Sequence, residues 1–251
     1  MNDSVVKISS PASGVACIQM QDEQSKNTFS EALVRDLLDA FETISKDTTI
    51  KAVILTGYDN YFASGGTKEA LLGLQEGKGT FADINIYSLA LDCPVPVISA
   101  MQGHGIGGGF VMGLFADQVV LGLECVYTTN FMKYGFTPGM GATLVLPYKL
   151  GLPLAEEMLL VADTFRGETL KERGIPFPVV PKNEVFDKAL EMAILLAEKP
   201  RLSLVTLKEH LTKSLREQLS NFIEKEVKMH EVTFHQSEVT QMIESKFIEP
   251  K

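Results

Sequence analysis

Two glycine-rich segments hold the residues of this chain best suited to chemistry. The first, YFASGGTKEA, sets Ser64, Gly65 and Gly66 shortly after an apolar run. The second, MQGHGIGGGFVMG, sets Gly103, Gly105, Gly107, Gly108 and Gly109 after another. Glycine where a strand gives way to a helix lets the backbone approach a ligand closely and take positive φ. The N–H groups of a helix start are suited to hold negative charge. GHGIGG matches the letters of a G-x-G-x-x-G dinucleotide loop. It follows a middle strand, however, and the acidic residue at the next strand, Asp117, is too near to be the one that reads a ribose. No G-x-x-x-x-G-K-[ST] occurs, so no P-loop is expected.

Of the histidines, His104 lies between glycines and reads as a turn filler, and His210, in KEHLTK, reads as surface. His230 and His235 fall on the last long helical pattern. There Leu219, Ile223, Val227, His230 and Phe234 recur at helical spacing, so His230 belongs to the buried stripe and His235 to the polar side with Lys228 and Glu231. A lone histidine on an apolar stripe can be plain core. It can also deliver a proton near neutral pH, which makes His230 the candidate proton donor. Tyr61, Tyr87 and Tyr134 read as packing residues with a polar end. The histidines are not grouped with cysteines or carboxylates at ligand spacing, so no metal is expected.

These residues need a scaffold, and the hydrophobic pattern describes one. VVKIS from Val5 and VACIQM from Val15 are β-branched runs split by the turn signal Pro11–Gly14. Leu33, Leu37, Leu38, Phe41 and Ile44 have helical spacing, with Ser30 as the expected N-cap. Residues 52–57, 95–103 and 117–122 are apolar runs of the kind buried on both faces of a parallel sheet, and a helix-like segment covers 81–91. Alternation at this spacing predicts right-handed strand–helix–strand units. From Leu152 onward the pattern is nearly all helix. The expected class is α/β, with a core over 1–195 and a helical region over 196–251.

Composition narrows the function classes. The chain has 251 residues, 45% hydrophobic, with 23 basic and 32 acidic residues and a net charge of −9. That balance disfavours a nucleic-acid binder. No apolar run approaches a membrane span, and the N-terminus carries no signal-peptide pattern. Cys17, Cys93 and Cys125 are scattered in apolar segments, which excludes a disulfide framework and fits a reducing, cytoplasmic setting. The stretch Lys199–Lys228 carries seven basic residues against four acidic ones. It is either a solvated helix face or a landing surface for an acidic partner.

YFASGG and GHGIGGGF, about 40 residues apart, resemble the paired oxyanion-hole segments of the crotonase (enoyl-CoA hydratase/isomerase) superfamily, and NFMKYGFTPGMGAT resembles its third hallmark. The resemblance runs over essentially the whole chain. It implies a crotonase (ClpP-like) fold: a ββα-repeat core with a C-terminal helical region that serves trimerisation and covers the active site. By position it makes the backbone N–H groups of Gly66 and Gly108 the two donors to one thioester oxygen, each worth about 3 kcal/mol to an enolate-like transition state. The hydratases of this family carry two glutamates that this chain lacks. One position is Val111; the other falls in Asn130–Phe131–Met132–Lys133. Hydration needs a positioned base and acid, so it is disfavoured. Decarboxylation needs no base: CO2 leaves, electrons flow into the thioester, and a proton donor quenches the carbanion.

The phrases AMQGHGIGGGF, EKPRLSLVTLKEHL and MHEVTFHQ resemble a narrower branch, the β-branching decarboxylases of trans-acyltransferase polyketide assembly lines such as the bacillaene system. That resemblance implies a 3-methylglutaconyl group on the phosphopantetheine of an acyl carrier protein, converted to the 3-methylcrotonyl thioester. It also implies a histidine, His230, and a lysine on the covering segment, Lys78 in preference to Lys68. Lys26 is expected near the pantetheine phosphate, and Tyr87, Val111 and Phe131 at the acyl group. The basic stretch becomes an expected docking rim for the carrier, in a homotrimer or hexamer without cofactor. The chamber is expected to hold no acidic side chain. The competing readings are an enoyl thioester isomerase or hydratase, and a non-catalytic acyl-carrier-binding homologue.

Overall fold

The computed structural model describes residues 4–80, 83 and 85–247. Ten strands are described: β1 (Val6–Ala12), β2 (Val15–Met20), β3 (Ala52–Thr56), β4 (Tyr61–Ala63), β5 (Val97–Met101), β6 (His104–Ile106), β7 (Gln118–Gly122), β8 (Val126–Thr128), β9 (Thr164–Arg166) and β10 (Val179–Val180). The helices are α1 (Glu31–Lys46), α2 (Lys68–Gln75), α3 (Leu89–Asp92), α4 (Gly108–Leu114), α5 (Ala142–Leu150), α6 (Leu152–Val161), α7 (Gly167–Glu172), α8 (Val185–Ala197), α9 (Arg201–Thr233) and α10 (Ser237–Lys246). The strands form two sheets, in the orders β1-β2-β3-β5-β7-β10 and β4-β6-β8-β9. β1 and β2 pair antiparallel, as do β8 and β9, and the other pairings are parallel.

The expected ββα repeat is present. β3-β4-α2 and β5-β6-α4 are successive units, and β7-β8 leads through a short 3-10 turn at Met132–Tyr134 into α5. Each unit gives one strand to each sheet. β3 and β5 are buried along their whole length. This burial on both faces is what their unbroken apolar sequence encodes. Ser30 caps α1 by accepting from the Leu33 N–H at 3.1 Å.

The structure changes two expectations. The last hundred residues hold β9 and β10 as well as helices. These strands are only three and two residues long, too short to leave a period in the sequence. The segment expected to be helical over 81–91 is helix only at Leu89–Asp92, and its residues 81, 82 and 84 lie outside the described set. α8 runs through residue 195, where the core was expected to end, and packs on β3, β5 and β7. The three cysteines are free and buried.

The chain tail closes over the glycine segments. The long helix α9 packs against α5, and α10 packs against α2 and the 132–134 turn. Glu226 of α9 is 1% exposed. Its carboxylate accepts from the N–H of Gly141 at 2.7 Å, the N–H of Thr143 at 2.9 Å and the Thr143 hydroxyl at 2.6 Å. It thus caps α5, whose own N-cap is a glycine with no side chain to offer. Burial nonetheless pushes its carboxyl pKa up.

Candidate active site

β4 and β6 run parallel, with Ala63 opposite Gly105. Gly66 and Gly108 each lie three residues beyond that pair, so the two segments leave the small sheet side by side at matched offset. Their packing is close: a Cβ on Gly65 would lie 2.8 Å from the Ile106 carbonyl oxygen and 3.5 Å from the Gly108 nitrogen. A Cβ on Gly109 would collide with the backbone of Ala63. Gly65 also has φ +78°, so glycine is required there twice over. Among the described residues, neither the Gly66 nor the Gly108 N–H donates to a protein acceptor.

Both glycines line a cavity of about 610 Å³. Phe131, Tyr134, Phe136, Met140 and Phe247 form one wall, and Lys78, Gly79, Thr80 and Asp83 lie on the covering segment. Tyr61 and His104, paired across β4 and β6, line the cavity at the opposite end of those strands from the glycines.

The expected site residues divide between cavity and surroundings. Gly66, Gly108, Lys78 and Phe131 line the large cavity. The Lys78 ammonium lies 2.6 Å from Glu76 and its side chain is largely exposed. His230 borders a smaller adjoining cavity of about 200 Å³ with Glu231, Phe234 and His235. Leu74, Gly79 and Thr80 line both spaces and so form the partition between them. The His230 Nε2–H donates to the Thr137 carbonyl at 2.8 Å. Burial lowers its pKa more than the carbonyls of Thr137 and Pro138 raise it, so the folded chain favours the neutral ring.

Other expected residues lie outside the cavity lining, and His104 lies within it. Val111 is 0% exposed inside α4 and does not line the cavity. Tyr87 is core, its ring 6.1 Å from that of Phe115, and it does not line the cavity either. Lys68, the first residue of α2, is not among the lining residues. Lys26 is also outside the lining set; its ammonium sits 5.9 Å over the Tyr61 ring, and its carbonyl accepts from the Ser64 hydroxyl. His104 is not a turn filler: it belongs to β6, lines the cavity, and accepts the Val126 N–H on Nδ1 at 3.0 Å.

Three of the seven basic residues of the Lys199–Lys228 stretch are engaged by the protein itself, while Lys199, Lys213, Lys225 and Lys228 are exposed. Lys208 is buried, donates to the carbonyls of Ala90 and Val95, and pairs with Asp117 at 2.7 Å. Arg201 donates to the Ile50 carbonyl and Arg216 to that of Leu91. These long side chains fasten α9 to the core, and a charge count along the sequence cannot register that.

The chamber also holds a carboxylate after all. Asp83 lines it, reached through the turn that follows Lys78. Its Oδ2 accepts from the Thr80 N–H at 2.6 Å and its Oδ1 from the Thr80 hydroxyl at 3.2 Å. Both oxygens therefore serve the turn. Sequence reasoning missed Asp83 because nothing local marks a turn that folds back over a cavity. Phe29, Phe136, Met140 and Phe247 were missed for the same reason, since only tertiary packing gathers them.

The family model for enoyl-CoA hydratase/isomerase matches residues 10–251. The chain belongs to that family. It is 60% identical over 247 residues to the bacillaene synthase decarboxylase PksI of Bacillus subtilis, covering 98% of this chain and 99% of that protein. A solved structure concerning a dehydratase/decarboxylase enzyme couple involved in polyketide β-branching superposes with a TM-score of 0.96 at 60% identity, over 97% of this chain and 99% of the other. The ECH2 decarboxylase domain of CurF from Lyngbya majuscula superposes with a TM-score of 0.94 at 44% identity, over 98% of this chain and 100% of that one. The fold class expected from the glycine segments is borne out by the family match and these superpositions.

Proposed function

We propose that this protein decarboxylates a 3-methylglutaconyl thioester, carried on the phosphopantetheine of an acyl carrier protein, to the 3-methylcrotonyl thioester. The observation that carries the reading is the pair of acceptor-free N–H groups at Gly66 and Gly108, set at matched offset on one cavity whose wall takes Asn130 and Phe131 from the stretch where a hydratase carries a glutamate. The other hydratase position, Val111, is sealed in the core. Similarity to two decarboxylases over nearly the full chain supports the same reaction.

The step balances without an added reagent. The bond to the carboxylate breaks, its electron pair enters the conjugated thioester, and CO2 departs. The enolate oxygen receives hydrogen bonds from Gly66 and Gly108, which strengthen as charge develops. The aromatic wall keeps the carbanion away from bulk water. A proton then returns to carbon from His230 or Lys78, which border the two spaces divided by Leu74, Gly79 and Thr80. An incoming carboxylate opposes the burial that keeps His230 neutral, so substrate binding itself favours the charged, proton-bearing ring.

The protein acts in the cytoplasm, consistent with its free buried cysteines. It assembles as a homotrimer or hexamer, supported by exposed apolar side chains such as Leu160 and Leu202. Incubation with 3-methylglutaconyl carrier protein, read by intact mass, tests the reaction. Loss of CO2 is expected. Gain of water would instead establish a hydratase, an isobaric double-bond shift an isomerase, and binding without turnover a carrier-binding homologue.

A further inference from the structure

The cavity wall formed by residues 130–140 is apolar except at one place. Phe131, Phe136 and Met140 line it together with Asn130 and Tyr134. Tyr134 is 8% exposed, and its ring stacks between Phe136, centroids 6.2 Å apart, and Phe247, 5.8 Å apart. These contacts hold the phenol in one orientation. Its oxygen accepts the Asn130 Nδ2–H at 3.3 Å. Because that amide donates, the phenol oxygen is left with its own O–H to give. Among the described residues no acceptor takes that proton, although the group lies in a cavity wall with little access to bulk water. Burial raises the Tyr134 pKa, so the proton stays on the oxygen at neutral pH.

Asn130 links this donor to the glycine segment. A Cβ on Gly107 would lie 2.5 Å from the Asn130 Oδ1, so the amide sits directly against the residue before Gly108. Tyr134 also belongs to the segment that reaches His230. The Phe136 ring is 4.4 Å from that of Phe234, and Phe234 is in edge contact with His230. The hydroxyl is therefore beside Asn130, on the side of the chamber where the glycine segment runs.

We propose that the Tyr134 hydroxyl, oriented by Asn130, donates a hydrogen bond to the free carboxylate of the acyl substrate and so selects a carboxylated over a neutral acyl thioester. Tyr134 is the substrate-binding member and Asn130 a positioning residue that acts through it. The inference rests on the decarboxylase reading for the presence of that carboxylate. An acid group entering an aromatic wall loses its water and needs a donor there. A neutral phenol supplies one without forming the tight ion pair that would oppose departure of CO2.

The test is binding of two unreactive pantetheine thioesters, 3-methylglutaryl and 3-methylbutyryl, which differ in the carboxylate. Tyr134→Phe keeps the ring and both stacks and deletes only the hydroxyl. It is expected to weaken binding of the carboxylated thioester about tenfold, the loss of one hydrogen bond to a charged group, and to change binding of the neutral one less than twofold. Asn130→Ala is expected to give a smaller discrimination of the same sign. Equal losses for both thioesters, or no loss for either, would overturn the inference. Turnover of the carrier-bound substrate by the parental protein reads the decarboxylase assignment separately, so the two can fail independently.

Discussion

Substituting alanine at Gly108 probes the paired-amide account by steric means. A Cβ there would lie 2.9 Å from Cε2 of Phe29 and 3.1 Å from Cε of Met140, with the Met140 sulfur closer still. Carbon atoms rest about 3.5–4.0 Å apart. Either the two side chains retreat by close to an ångström or the start of α4 does, and the helix start carries the N–H in question. Gly66 supplies the contrast, because its nearest neighbour would be Cδ2 of Leu71 at 3.5 Å, an ordinary contact. A misplaced oxyanion donor costs about 10²–10³ in kcat. Gly108→Ala should therefore lose on the order of a hundredfold in single-turnover decarboxylation of carrier-bound substrate. Gly66→Ala should lose less than about fivefold, since its amide stays in place. Gly108→Ala/Met140→Ala, which opens space for the added methyl, should recover part of the loss. Near-parental turnover by Gly108→Ala, or an equal fall in Gly66→Ala, would refute the reasoning.

Three further outcomes follow from the surroundings of the site. Asp83→Asn keeps an acceptor for Thr80 and removes the charge, so turnover should stay within about threefold of parental, whereas a collapse would make Asp83 an acid or base. His230 has its pKa lowered from 6.5 by burial, so the unfolded chain takes up its proton first as pH falls below 6.5, and the fold loses stability there. Denaturant titrations between pH 7.5 and 5.5 should show a smaller loss for His230→Gln than for the parental chain, and decarboxylation by His230→Gln should fall at least tenfold. Glu226→Ala strands two backbone N–H groups and a hydroxyl at the start of α5, which should cost about 3 kcal/mol and lower Tm by roughly 10 °C in thermal unfolding.

The parts of this protein legible in the sequence are those fixed by local rules. Both faces of β3 and β5 are buried, so their sequences are unbroken apolar runs. Ser30 announces the start of α1. Gly65 and Gly109 are where two backbones meet, and the glycine segments that hold them stand out in the sequence. The stripe from Leu219 to Phe234 placed His230 on the buried side of α9. What was illegible depends on distant elements arriving. Tyr87 follows the lining residue Ile86 and Val111 lies three residues past Gly108, yet both are buried in the core. Lys208 carries a surface residue's name and is consumed by carbonyls more than a hundred residues away. Asp83 enters the chamber through a turn with no periodicity. Tyr134 looked like packing, which it is; its spare proton became visible only when the direction of the Asn130 hydrogen bond was known.

The most direct measurement is a crystal structure with an unreactive 3-methylglutaryl thioester in the cavity. The account predicts one thioester oxygen within about 2.7–3.1 Å of both the Gly66 and the Gly108 nitrogen. A thioester oxygen that meets only one of them, or that is held by a side chain instead, would contradict it.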